Sequence, residues 1–144
     1  MSYFSTLDIS ASGMEVQKIR LDTVALNLAN VNTTRGVDGR PYQPLKVVIG
    51  EKVPSQFDST LSIYQQSLRG PEVVDISPTG ASPKLVYKPE HPDANEDGLV
   101  AFPDINPVSE MVDLLEATRA YEANVRAVNA AKTMALRALE IGEG

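Results

Sequence analysis

The chain has no cysteine among its 144 residues. Disulfides, thiolate metal sites and a cysteine nucleophile are therefore excluded, while a reducing and an oxidising compartment fit equally well. It has one histidine, His91, set between Glu90 and Pro92. With no cysteine and no second histidine, neither a zinc site nor a histidine-centred triad is expected within one chain, and His91 reads as a solvated or structural loop residue. No stretch approaches the ~20 consecutive apolar residues that a membrane span needs. The opening MSYFSTLDIS has neither the basic start nor the apolar run of a secretory signal, which on that rule alone reads as cytosolic. Positive charge is scarce, with 13 Lys and Arg against 19 Asp and Glu and a net charge of -6. The cations are scattered, so no basic face is available for phosphate backbones or anionic lipid, and neither nucleic acid nor direct lipid binding is expected. There is no P-loop, no GxGxxG and no HExxH.

Helical periodicity, by contrast, is present at both ends. From Ser5 to about Val31, Leu7, Met14, Leu21 and Leu28 recur at sevens, with Ala11 and Ala25 at intervening steps. This is the stripe of a helix packed lengthwise on another. Ile9, Val16, Ile19 and Leu26 form a second stripe roughly opposite, so this helix needs two neighbours. Gly13 inside it costs ~1 kcal/mol relative to alanine.

The helix runs into LNLANVNTT, residues 26–34. Asn30 and Asn32, followed by Thr33 and Thr34, read as a C-terminal stop: asparagine tolerates left-handed backbone, and its amide can bond nearby main chain. Gly36, Gly39 and Pro41 keep the next stretch of chain out of helix. Asn27, a turn earlier, reads on the residues alone as an exposed polar position, the sharper alternative being an amide aimed at a neighbouring chain. Asn32-Thr33-Thr34 is also a glycosylation sequon, a match that short sequences produce by chance.

Nine of the ten prolines lie between Pro41 and Pro103, which rules out long helices there. Lys46–Ile49, Glu72–Ile76 and Lys84–Tyr87 are short β-branched runs between turn residues and predict strands. Tyr42–Gln66 is polar and weakly patterned, and is expected to be extended or poorly ordered until it meets a partner.

Asn106-Pro107 then opens a second helix: asparagine at the N-cap, proline at the first position, Glu110 in the first turn and Gly142 at the close. Met111, Leu114, Tyr121, Val125, Val128, Ala135 and Leu139 follow three- and four-residue steps, with Thr118 and Lys132 interrupting. The expected fold is mainly α with a small β-rich insertion, its long terminal helices forming an antiparallel coiled-coil pair. Residues 1–34 and 107–144 would carry the two helices and 35–106 the extended or β-rich middle, as one domain overall. A helix pair buries one stripe per helix. The remaining stripes pack either on the middle segment or on other subunits.

Asp93-Ala94-Asn95-Glu96-Asp97-Gly98 matches the opening of a calcium loop, with Asp104 in the twelfth position. The flanking prolines deny the standard helix pair, and aspartate is short for bidentate chelation. The favoured reading is an Asp-Gly turn joining two short strands, so no metal or cofactor is expected. A free-standing calcium module and an intracellular helical adaptor remain as rival function classes.

LNLANVNTTRGVDGRPY after the first helix, and PKLVYKPEHPDANEDGLVAFPDINPVSEMVDLLEATRAYEANVRAVNAAKTMALRALEIG at the end, closely resemble bacterial flagellar basal-body rod proteins. Asn27, Ala29, Asn30, Asn32 and Thr33 carry the signature of the wider family. LVY-x-P-x-HPDA and INPV-x-EMV single out one branch of it, among the subunits of the proximal rod. The resemblance leaves about Gln43 to Pro71 unsupported, and Leu26 departs from the small or polar residue of the family pattern.

The resemblance implies a non-enzymatic structural subunit of the proximal rod, a torque-transmitting axial shaft in which the terminal helices bear on neighbouring subunits. Implied partners are further copies, homologous proximal and distal rod proteins, the rod-to-MS-ring adaptor, the MS ring and the flagellar type III export apparatus. The implied location is the flagellar basal body in the periplasmic space, reached by export without a cleaved signal. Leu7, Met14, Leu21, Leu28, Met111, Leu114, Tyr121, Val125, Val128 and Leu139 are the expected packing and assembly positions, with Asn27 and Asn30 fixing the helix-to-loop junction or a neighbour contact.

Overall fold

The structure, a computed structural model, describes residues 3–51 and 70–142. Most of the stretch expected to be extended or poorly ordered, residues 52–66, lies outside them. Helix α1 spans Tyr3–Ala29, and helix α2 spans Pro107–Gly142. Between them come strands β1 (Leu45–Glu51), β2 (Pro71–Pro78), β3 (Lys84–Tyr87) and β4 (Leu99–Phe102). The molecule is mainly helical, with small sheets between two long terminal helices, as the sequence predicts.

The start of α2 is fixed by side chain and ring chemistry together. The Asn106 carboxamide oxygen accepts from the backbone N–H groups of Val108 at 3.0 Å and Ser109 at 3.4 Å. Pro107, which has no N–H to satisfy, occupies the first turn with its φ already set. At 36 residues α2 is about 54 Å long.

Two contacts give the direction of pairing. Gly13 lies against Asn124, and Asn27 bonds Glu110, so the helices run antiparallel. Ser10, Gly13, Val16, Thr23, Val24 and Asn27 are buried on α1, as are Ala117 and Ala131 on α2. The small side chains among them, at Ser10, Gly13, Ala117 and Ala131, let the helices approach closely, and at Gly13 a Cβ would strike the Asn124 carboxamide.

The second stripe of α1 is partly covered by the middle segment. Strands β1 and β2 pair antiparallel and pack on α1. Val16 and Ile19 line the same cleft as Pro71 and Val73, and Gly70 lies so close to Ser12 that any side chain there would collide with it. Leu26, at the end of that stripe, stays 46% exposed. Within the sheet, Val48 faces Asp75 and Ile49 faces Val73, leaving Val74 as the extra residue of a bulge.

Strands β3 and β4 form a separate antiparallel hairpin, from Lys84↔Phe102 to Tyr87↔Leu99. Val100 is fully buried within it. The Asp97-Gly98 turn falls where the sequence places one. Gly98 has φ +74°, and a Cβ there would also strike the Tyr87 ring at 2.9 Å, so glycine is required twice over.

Candidate functional site

The asparagine-rich turn closes α1 by side-chain capping. The Asn30 amide nitrogen donates to the Leu26 carbonyl at 2.9 Å, and the Thr33 hydroxyl donates to Asn30 Oδ1 at 3.1 Å. No non-glycine residue has positive φ among the described residues, so the left-handed backbone expected of these asparagines is not how the helix stops. A bonded carboxamide achieves the stop without that strain. Ala29 and Asn32 are exposed, and Thr33 is half-buried with its carbonyl accepting from the Tyr42 N–H at 3.2 Å.

Asn27 overturns the reading of an exposed polar position. It is 2% exposed, and its amide points inward to its own chain. Oδ1 accepts from the Leu45 N–H at 2.9 Å and from the Tyr42 hydroxyl at 3.0 Å. Nδ2 donates to the Leu45 carbonyl at 2.9 Å and to Glu110 Oε2 at 3.4 Å. Two bonds donated and two accepted are the whole hydrogen-bonding capacity of the group. Burial pushes the Tyr42 phenol above its ordinary value, and the neighbouring Glu110 carboxylate adds to the effect. A groove of about 520 Å³ opens beside this point, with Arg20, Lys46, Asp104 and Asp113 on its walls.

The loop joining β3 to β4 hangs from the same region. Asp93 accepts from the Thr34 hydroxyl at 2.7 Å and pairs with Arg35 at 3.6 Å. Asn95 Oδ1 accepts from the N–H groups of Asp97 and Leu99, so the first and third positions of the calcium-like motif serve the turn and its anchor. His91 takes the Asp93 N–H on Nδ1 and packs edge-on against Phe102, with ring centroids 6.2 Å apart. The Lys88 ammonium also lies over the Phe102 ring, 4.9 Å from its centroid. Among the described residues no cluster of three metal-ligating side chains forms.

The apolar positions divide into two groups. Leu7, Met14, Leu21 and Leu28 on α1 are half-buried, as are Leu114, Tyr121, Val125 and Val128 on α2. Met111 and Leu139 are 52% and 66% exposed, Leu139 because α2 there runs past the start of α1, and Val112, Leu115, Met134, Leu136 and Ile141 are also at least half exposed. Sequence reasoning gives no role to Tyr42 and treats Glu110 only as a helix-end charge. The signal for Tyr42 is an amphipathic aromatic just after Pro41, where the chain leaves the glycine-containing turn beyond α1.

Comparison with known proteins agrees with this geometry. The profile of the flagella basal body rod protein family matches residues 7–35, which hold most of α1 and the asparagine-rich turn that ends it. That of the flagellar basal body rod FlgEFG protein C-terminal region matches residues 96–141, which hold β4 and nearly all of α2. The chain is 43% identical over 150 residues to the flagellar basal-body rod protein FlgC of Bacillus subtilis (strain 168), covering 99% of this chain and 100% of that one. It is 42% identical over 140 residues to FlgC of Aquifex aeolicus (strain VF5), covering 97% of each. With FlgC of Salmonella typhimurium (strain LT2) it shares 35% identity over 143 residues, 99% of this chain and 100% of the relative. Identity of this order over the full length of both chains shows that this protein belongs to the FlgC family of flagellar basal-body rod proteins, a structural and non-enzymatic family.

Proposed function

We propose that the chain is a subunit of the proximal rod, polymerising with copies of itself and with homologous proximal and distal rod proteins into the axial shaft that carries torque from rotor to hook. The observation that carries this reading is the apolar surface that α2 leaves uncovered near its two ends. Met111, Val112 and Leu115 near its start, and Met134, Leu136, Leu139 and Ile141 where it reaches and passes the beginning of α1, are all half exposed or more, clustered apolar side chains of the kind that partners cover. Two separate apolar patches on one subunit suit heterologous contacts repeated about a screw axis, which generate open helical assemblies. Leu7, Met14, Leu21, Leu28, Leu114, Tyr121, Val125 and Val128 hold the pair together in this reading, while Met111 and Leu139 meet neighbours. The rod-to-MS-ring adaptor and the MS ring lie at the base of the shaft. The subunit reaches the periplasmic space through the flagellar type III export apparatus. No helix among the described residues is long and apolar enough to cross a membrane.

Leu139→Glu and Met111→Glu test the proposal. Each changes an exposed position, so the isolated chain should keep its stability to within about 0.5 kcal/mol. Cells carrying either variant should export the subunit yet fail to swim. Normal swimming by both variants would overturn the reading.

A further inference from the structure

We propose that Asn27 is the positioning residue of the junction, the one side chain through which α1, β1 and the first turn of α2 are fixed relative to one another. Its partners lie 18 and 83 residues away in the sequence, and no other described side chain bonds both. Towards Leu45 it offers one acceptor and one donor, each at 2.9 Å, the two-bond pattern by which one strand residue pairs with another across an antiparallel ladder. Leu45 sits opposite Pro78 in the sheet and directs its N–H and C=O the other way, to the carboxamide. Asn27 therefore stands in for a missing strand at the start of β1 and covers its open edge there. The same amide nitrogen reaches Glu110, so the edge of the sheet and the N-terminal turn of α2 are registered on a single planar group.

A carboxamide meets all four demands, and a carboxylate does not. Aspartate has the same shape but donates nothing, so Leu45 would lose its donor and Glu110 would face a like charge. Tyr42 and Glu110 are the titratable groups in contact with position 27, and Arg20, Lys46, Asp104 and Asp113 surround the adjoining groove. A carboxylate introduced here is buried beside Glu110, so the pair retains a proton to higher pH than it does in the unfolded chain. With the folded pKa raised, the variant is least impaired at low pH and loses protection as pH rises. The claim does not depend on the rod reading, since it concerns the isolated chain.

Hydrogen exchange on the full-length protein at pH 4.5 and 7.5 tests it, comparing wild type, Asn27→Asp and Asn27→Asp/Glu110→Gln. At pH 7.5 Asn27→Asp should lower protection of the Leu45 amide and of the first bonded amides of α2 together, by about tenfold or more. The loss should shrink at pH 4.5. The double variant, whose glutamine can donate to the new carboxylate, should regain protection of the first α2 amides at pH 7.5, while Leu45, whose carbonyl still lacks its donor, recovers less. Should Asn27→Asp unfold outright, a folded double variant supports the proposal and an unfolded one refutes it. Independent responses of Leu45 and α2 to Asn27→Asp, a loss that is the same at both pH values, no loss at all, or no rescue of the α2 amides in the double variant would each overturn it.

Discussion

Replacing Gly13 by alanine sets two opposed and calculable effects against each other. In the helix interior alanine is favoured over glycine by ~1 kcal/mol. At this position a Cβ would lie 2.8 Å from Asn124 Nδ2 and 3.2 Å from both Cγ and Oδ1, so the whole carboxamide must shift. Overpacking of this kind costs about 1–3 kcal/mol, and the expected net effect of Gly13→Ala, with the two terms combined, is a loss of ~1 kcal/mol. Asn124→Ala removes the obstructing group. In that background Gly13→Ala should instead stabilise by ~1 kcal/mol, a coupling of about 2 kcal/mol between two residues in direct contact. Urea unfolding of the four proteins measures the cycle, with thermal midpoints moving by about 3–5 °C per kcal/mol for a chain of this size. If Gly13→Ala stabilises the wild-type chain as much as it stabilises Asn124→Ala, the helices do not approach as described and the small-residue seam is refuted.

Two further outcomes arise at the junction. Asn106→Ala removes the cap from Val108 and Ser109 and should cost ~1 kcal/mol in thermal or urea unfolding; an unchanged midpoint would show that the cap contributes nothing. The Tyr42 phenol is raised in the folded chain, by burial first and Glu110 second, so its contribution is complete below the unfolded value of about 10 and declines as pH rises through the higher folded value. Stability of wild type should therefore fall more steeply than that of Tyr42→Phe above about pH 10, and parallel curves would refute the assignment.

The helices and most strands are legible because their signals are local. Asn106 caps with an oxygen two and three residues from its partners, Pro107 sets its own φ, and Lys84–Tyr87 reads as a strand from its own β-branched and aromatic composition. The deepest packing is less so. Counting large apolar residues highlights Leu7, Met14, Leu21 and Leu28, which the fold leaves half-buried, while the most covered positions include Ser10, Gly13, Thr23, Asn27, Ala117 and Ala131. Close approach of two helices selects for small volume, and periodicity weighted by hydrophobicity passes over glycine, serine and alanine. Asn27 is the least legible of all. Its burial depends on Leu45 and Glu110, and nothing in the residues around it announces partners so far along the chain.

The tie between Asp93 and the Thr34–Arg35 turn, set beside the Asn27–Glu110 bond, closes a mechanical circuit. Starting from α1 it passes through Glu110 into α2, back past Asn106 to β4, across the hairpin to Asp93, and home to the turn beyond α1. No link in it is apolar except the hairpin's own centre at Val100. Axial slippage of one helix on the other therefore meets directional, charge-assisted resistance at this end, and salt, which leaves apolar contacts intact, should soften the link at the exposed Arg35 first.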